Sequence, residues 1–136
     1  MNRTLAVDFD GTIVDHDYPD IGKPVPYAIE WIKCLQAHGV RVILWTMRSG
    51  VELYEAVKYL ADNGVVPWAV NTNPEQSEWT DSPKAYAQAY VDDSAVGCPL
   101  ITNPRDGGRR MVDWEIVGPK LVWRFGIDVE HDTEDQ

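Results

Sequence analysis

Basic residues are scarce. Twelve Lys and Arg face 22 Asp and Glu in 136 residues, a formal net charge of −10, so the surface repels nucleic-acid phosphates and no nucleic-acid partner is expected. Cysteine is scarcer still, with only Cys34 and Cys98. They are far apart and match no CxxC or zinc spacing, which excludes a disulfide scaffold and suggests reduced thiols filling core space. The three histidines, His16, His38 and His131, are scattered, which argues against a histidine metal site and leaves them ordinary surface or core roles. No run approaches the roughly 18 apolar residues of a membrane span, and the chain opens into a strand-like run without a signal-peptide pattern. A soluble cytoplasmic protein with no membrane partner is expected.

The length fits one ordinary domain with a real core. Half of the acidic excess is local: Asp128, Glu130, Asp132, Glu134 and Asp135 stand in 128–136 without a Lys or Arg. That stretch reads as a solvated, mobile acidic tail behind a domain over 1–127.

Within the domain, apolar patterning alternates between two periods. Leu5, Ala6 and Val7 form a short run ending at Asp8, as a strand buried on both faces would. Ala28, Trp31, Ile32 and Leu35 then recur at helical spacing between Pro26 and Gly39. A second strand is predicted over Val40 to Trp45, leading into Thr46, followed by a helix that Ser49 and Glu52 open as a capping box and Asn63 and Gly64 close. Further strands are predicted near Pro67 to Val70 and Ala89 to Val91, with Ser82 and Pro83 opening a short helix between them. Val117, Leu121, Val122 and Phe125 mark a last helix, restarted at Pro119. Strands alternating with helices imply parallel pairing, hence an α/β fold: a three-layer α/β/α sandwich on a Rossmann-like parallel sheet. Ligands of such sheets sit at the carboxyl ends of the strands, where Asp8, Asp10, Thr46, Asp92 and Asp93 all fall.

The segment Val7-Asp8-Phe9-Asp10-Gly11-Thr12 sets two carboxylates two apart just past a strand end, with Gly11 easing the turn. A calcium loop is excluded, because its sixth and twelfth positions would be Ile13 and Pro19 rather than glycine and glutamate. DFDGT after an apolar strand, Thr46 ending a second, Lys84, and VDD at Val91 to Asp93 together resemble the haloacid dehalogenase superfamily, in order and across nearly the whole chain.

The resemblance implies a phosphatase-like member and a Mg²⁺ cofactor. It makes Asp8 the nucleophile that forms an aspartyl-phosphate and Asp10 the acid and then the base. Mg²⁺ would be held by Asp8, the main-chain carbonyl of Asp10, and Asp92, with Asp93 behind them. Thr46 would donate to a phosphoryl oxygen, and Lys84 would offset the crowded carboxylates. Repulsion between a carboxylate and a phosphate dianion reaches several kcal/mol at contact at an effective dielectric near ~20, so a cation between them is physically required. An aspartate two after the nucleophile implies phosphatase chemistry, where dehalogenases lack it and transport ATPases carry threonine.

The chain departs from larger members in having no separate cap domain, since 11–24 and 71–82 are too short to fold alone. An open crevice leaves the substrate class open between a small phosphorylated metabolite, such as a sugar phosphate or nucleotide, and a phosphorylated macromolecule. The small substrate is preferred, and a homo-oligomer neighbour could enclose it. Arg48 and Asn71, each past a strand end, are candidate substrate contacts. Trp45 and Trp79 could stack on a sugar or base but are read as packing residues. Arg105, Arg109 and Arg110 are read as decoration of a glycine-rich loop rather than as an anion site. A mutase would need a lid, and a non-catalytic binding or regulatory module on the same fold is the alternative from another class.

Overall fold

The computed structural model describes residues 2–128. The acidic tail expected over 128–136 therefore lies outside the described residues, apart from Asp128. Four parallel strands form the main sheet in the order β3-β2-β1-β4. They are β1 (Thr4–Val7), β2 (Arg41–Leu44), β3 (Ala69–Val70) and β4 (Ala89–Val91). β1 is central and wholly buried, as its run of apolar side chains dictates, since a strand covered on both faces has no polar side. Its register pairs Val7 with Leu44 on one flank and with Val91 on the other. The ladder continues one step beyond, with Trp45 N donating to Val7 O (2.8 Å) and Asp8 N to Val91 O (2.9 Å).

The two faces of the sheet are covered differently. Leu5, Val7, Val42 and Leu44 point into the large core cluster. It also takes Ile32 and Leu35 of helix α1 (Ala28–Ala37), Ala56 and Leu60 of α2 (Gly50–Asp62), and Trp114, Val117 and Leu121 of α3 (Trp114–Arg124). Alternation sends Ala6 and Ile43 to the opposite face, where they meet Ala85, Ala87, Trp45 and Trp68. The α/β class and the Rossmann-like parallel sheet are as the sequence predicts. The layer over Ala6 and Ile43, however, is an extended segment rather than a helix.

The helix predicted from Ser82 is replaced for a definable reason. The buried Gln76 side chain donates to Ser82 O (3.0 Å) and Lys84 O (2.9 Å) and accepts from Tyr86 N (2.7 Å). These bonds satisfy main-chain groups that a helix would have paired internally. Asn73 adds a bond to Tyr86 O (3.0 Å). Held open in this way, the chain turns Ala85 and Ala87, two apart, onto the sheet.

Other departures are smaller. Ser49 is the N-cap of α2 but makes no side-chain cap bond; with Gly50 at φ 55°, the entry geometry departs from the predicted capping box. α3 runs through Pro119 without a restart, and Asp113, which accepts from Glu115 N, caps it. Beyond the sequence reading, Leu100–Thr102 (β5) and Arg110–Val112 (β6) form an antiparallel pair. This hairpin and α3 buttress the loop after β1: Val112 N donates to Gly11 O (3.1 Å) and the buried Trp114 Nε1 to Thr12 O (2.7 Å). No described helix is long and apolar enough to cross a membrane.

α1 and α3 touch where Gly118 lies flat against the Trp31 ring, and a Cβ there would overlap the indole. Gly118→Ala is therefore expected to destabilise the protein by about 1–3 kcal/mol despite alanine's better helix propensity. Urea unfolding with an unchanged m value would measure it.

Candidate metal and phosphate site

Asp8, Asp92, Thr46 and Asn71 each follow one of the four parallel strands, so the sheet carries them to the same edge. Together with Trp45 and Met47 they line a crevice of about 200 Å³. Phe9, fully buried, plugs the core between Asp8 and Asp10. Its carbonyl accepts from Thr12 N, Ile13 N and Val14 N (3.2, 2.8 and 3.2 Å), winding the chain into a tight loop.

Three carboxylates converge. Asp8, Asp92 and Asp93 each offer an oxygen, and these oxygens lie within 4.8 Å of one another. Thr12 Oγ1 donates to Asp8 Oδ2 (2.9 Å) and accepts from Asp93 N (3.2 Å), stitching the β1 loop to the β4 loop. Burial, then the Asp92 charge, then a hydrogen bond with Asp93 push the Asp8 carboxyl up to about 8, against the opposing bond from Thr12. A cluster of hard oxygen donors with so strong an electrostatic demand for positive charge fits a Mg²⁺-type cation. Asp93, predicted to lie behind the ligands, belongs to the cluster itself.

Asp10 does not. Arg48 Nε donates to Asp10 Oδ2 (2.9 Å) and Nη2 to Asp10 Oδ1 (2.8 Å), so the side chain forms a two-point ion pair away from the cluster. Its predicted main-chain carbonyl ligand is a separate matter from this side-chain geometry. Arg48, predicted as a substrate contact, is only 2% exposed. Its remaining donors go to Pro19 O (3.1 Å), Asp20 O (2.6 Å) and Glu52 O (3.4 Å). A guanidinium so enclosed has nothing left to offer a ligand, and its role is to position Asp10.

Asn71, at φ 56°, grips Thr46 on both sides: Oδ1 accepts from Thr46 N and Nδ2 donates to Thr46 O, each at 2.8 Å. Asparagine tolerates this left-handed backbone better than most residues. Thr46 Oγ1 accepts from Arg48 N (3.1 Å), which leaves the hydroxyl hydrogen to donate elsewhere.

Lys84 is exposed, its ammonium sits 5.5 Å from the centre of the Tyr90 ring, and the helix predicted to carry it is absent. Arg105 is bound to Asp15 (3.2 and 3.1 Å) and Pro24 O (3.2 Å), so it braces the loop rather than offering an anion site.

His16 is the residue that sequence reasoning missed. Its Nε2 lies 2.7 Å from Asp93 Oδ2. Gly11, at φ 84°, makes room for this contact, because a Cβ there would collide with both His16 Nε2 and Asp93 Oδ2. A glycine directly after DxD is the one sequence signal of that close approach.

The chain matches no protein-family model and no curated protein. Among solved structures it is similar to a conserved protein from Bacteroides thetaiotaomicron. The two are 38% identical over 89% of this chain and 90% of that one, with a TM-score of 0.71. A slighter likeness, at 19% identity and a TM-score of 0.42, links 72% of this chain to 56% of a D,D-heptose bisphosphate phosphatase from B. bronchiseptica crystallised with magnesium and phosphate.

Two outcomes follow from the geometry. Removing Arg48 strands Asp10, so Arg48→Met is expected to lower stability by about 3 kcal/mol or more. Arg48→Lys should recover little of this, because an ammonium cannot make the two-point contact. Chemical denaturation of both variants measures the difference. Secondly, the folded protein holds a proton on Asp8 that the unfolded chain releases near 3.8. The stability of the metal-free protein should therefore fall as pH rises from about 4 to about 8. Added Mg²⁺ should raise Tm more at pH 8 than at pH 6, and Asp8→Asn should flatten both trends in a thermal melt series.

Proposed function

The chain belongs to the same family as the conserved Bacteroides thetaiotaomicron protein, and from the crevice on its sheet edge we propose that it is a Mg²⁺-dependent phosphomonoester hydrolase of the haloacid dehalogenase type acting on a small phosphorylated metabolite. The observation that carries this reading is the meeting of Asp8, Asp92 and Asp93 oxygens within 4.8 Å at the carboxyl ends of β1 and β4. Thr46, on the neighbouring strand end, lines the same crevice. This proximity of DFDGT and VDD supports the reading.

Asp8, Asp92 and Asp93 would hold the cation, which supplies the positive charge that lets a carboxylate and a phosphate dianion approach. Asp8 attacks phosphorus through a carboxylate oxygen, the ester P–O bond breaks, and the leaving oxygen takes a proton from Asp10. Water then attacks the aspartyl-phosphate, Asp10 takes up the water's proton, and the bond to Asp8 breaks to return the enzyme with inorganic phosphate. The Thr46 hydroxyl donates to a phosphoryl oxygen as charge builds there.

Each Asp10 oxygen accepts one bond from Arg48 and keeps a further lone pair that can carry a proton. The main-chain acceptors at Pro19, Asp20 and Glu52 keep the guanidinium in place. Arg48 would in this way hold Asp10 aimed without itself touching substrate.

Phosphate release from a panel of phosphomonoesters should require Mg²⁺, and Asp8→Asn should lower kcat roughly a thousandfold or more. Asp8→Asn protein that folds yet keeps its rate would sink the proposal.

A further inference from the structure

The crevice beside Asp8 is chemically lopsided. Its floor is carboxylate, and polar groups that could read a hydroxylated leaving group are few and partly engaged. The Asn71 amide is bound at both ends to the Thr46 main chain. No Lys or Arg is among the lining residues. Arg48, the nearest cation in sequence, is held by the Asp10 carboxylate.

A second phosphate or a carboxylate on the substrate, lying beyond the cation, would therefore meet no Lys or Arg on the crevice wall. A sugar would surrender hydrogen bonds to water with few replacements, at about 1–3 kcal/mol for each buried group left unpaired.

The remaining wall is apolar. Trp45 lines the crevice while packing beneath on Ala6 and Ile43, which fixes its ring. Met47 stands at the rim with 98% of its surface exposed, although Thr46 before it and Arg48 after it are both buried. A flexible, polarisable side chain that packs on nothing, next to a fixed indole and the proposed nucleophile, is placed to close over an apolar ligand face.

Resting on the hydrolase reading above, we infer that this site selects a phosphomonoester with a single phosphoryl group and an aromatic or aliphatic face close to the ester oxygen. Trp45 and Met47 are the residues that make the selection. Bisphosphates and polyhydroxylated sugar phosphates are the disfavoured substrates.

Benzyl phosphate and glucose 6-phosphate both leave as primary alkoxides, so their kcat/KM values with Mg²⁺ compare binding at similar intrinsic reactivity. Calorimetric titration of the Mg²⁺-loaded protein with benzylphosphonate and methylphosphonate reads the same preference without turnover. Benzyl phosphate should be favoured by about tenfold or more, benzylphosphonate should bind about tenfold tighter than methylphosphonate, and Met47→Gln should pull both ratios toward one. Met47 is exposed enough that this variant should fold normally.

Ester hydrolysis with no benzyl preference, or with sugar phosphates ahead, overturns the inference and leaves the hydrolase reading standing. Tight benzylphosphonate binding that depends on Met47, with no ester hydrolysed, keeps the inference and removes the hydrolase. Equal binding of the two phosphonates overturns the inference whatever the rates.

Discussion

The ion pair between Arg48 and Asp10 is the constraint around which the active edge of the sheet is organised. A guanidinium buried this deeply is tolerated only when nearly every donor is satisfied. Arg48 meets that condition by reaching Asp10 in the β1 loop, Pro19 and Asp20 in the following loop, and Glu52 in the first turn of α2. Its own N–H bonds Thr46 Oγ1. The chain over 10–20 and the junction between β2 and α2 are thereby fixed relative to one another, and both carry residues of the proposed chemistry. The pair also divides labour between two carboxylates only two residues apart. Asp10 is neutralised by a protein cation, whereas Asp8 faces two further carboxylates and is left wanting a metal.

That division follows from the backbone. In a continuing strand Asp8 and Asp10 would share a face, but past the buried Phe9 the chain turns and Asp10 swings to Arg48. The Phe9 carbonyl then gathers three amides and closes the loop before either carboxylate can wander. Electrostatic strain at Asp8 is sustained because the hairpin and Trp114 clamp the same loop from behind. Preorganisation of charge against charge is how a site can favour a cation over water without moving parts.

The strands, the first two helices and the meeting of Asp8, Thr46, Asp92 and Asp93 at one edge were legible in the sequence, because apolar periodicity and strand-end carboxylates are local signals. What was illegible depends on contacts between remote residues. His16 has no distinguishing neighbours and enters the site only because Gly11 leaves it room beside Asp93. Arg48 looked like a loop cation, since nothing local shows that five protein acceptors surround it. The segment after Pro83 carried a reasonable helix start, but the side chain of Gln76, several residues earlier, captured its backbone. The helix expected to carry Lys84 was lost by the same event. β5 and β6 are three residues each, and the glycine-rich turn that joins them reads as loop.

The cover over Ala6 and Ile43 differs in kind from the helices on the other face. A helix frays one turn at a time, because each turn closes its own hydrogen bonds. The stretch from Ser82 to Tyr86 instead hangs on a few side chains, chiefly the Gln76 amide, with Asn73 at Tyr86 O and Tyr90 at Ala85 O. Its parts stand or fall together, which gives this side of the sheet the character of a one-piece panel: an all-or-none local opening, detectable as grouped amide exchange, that would bare two buried alanines and the rear of Trp45 in one step.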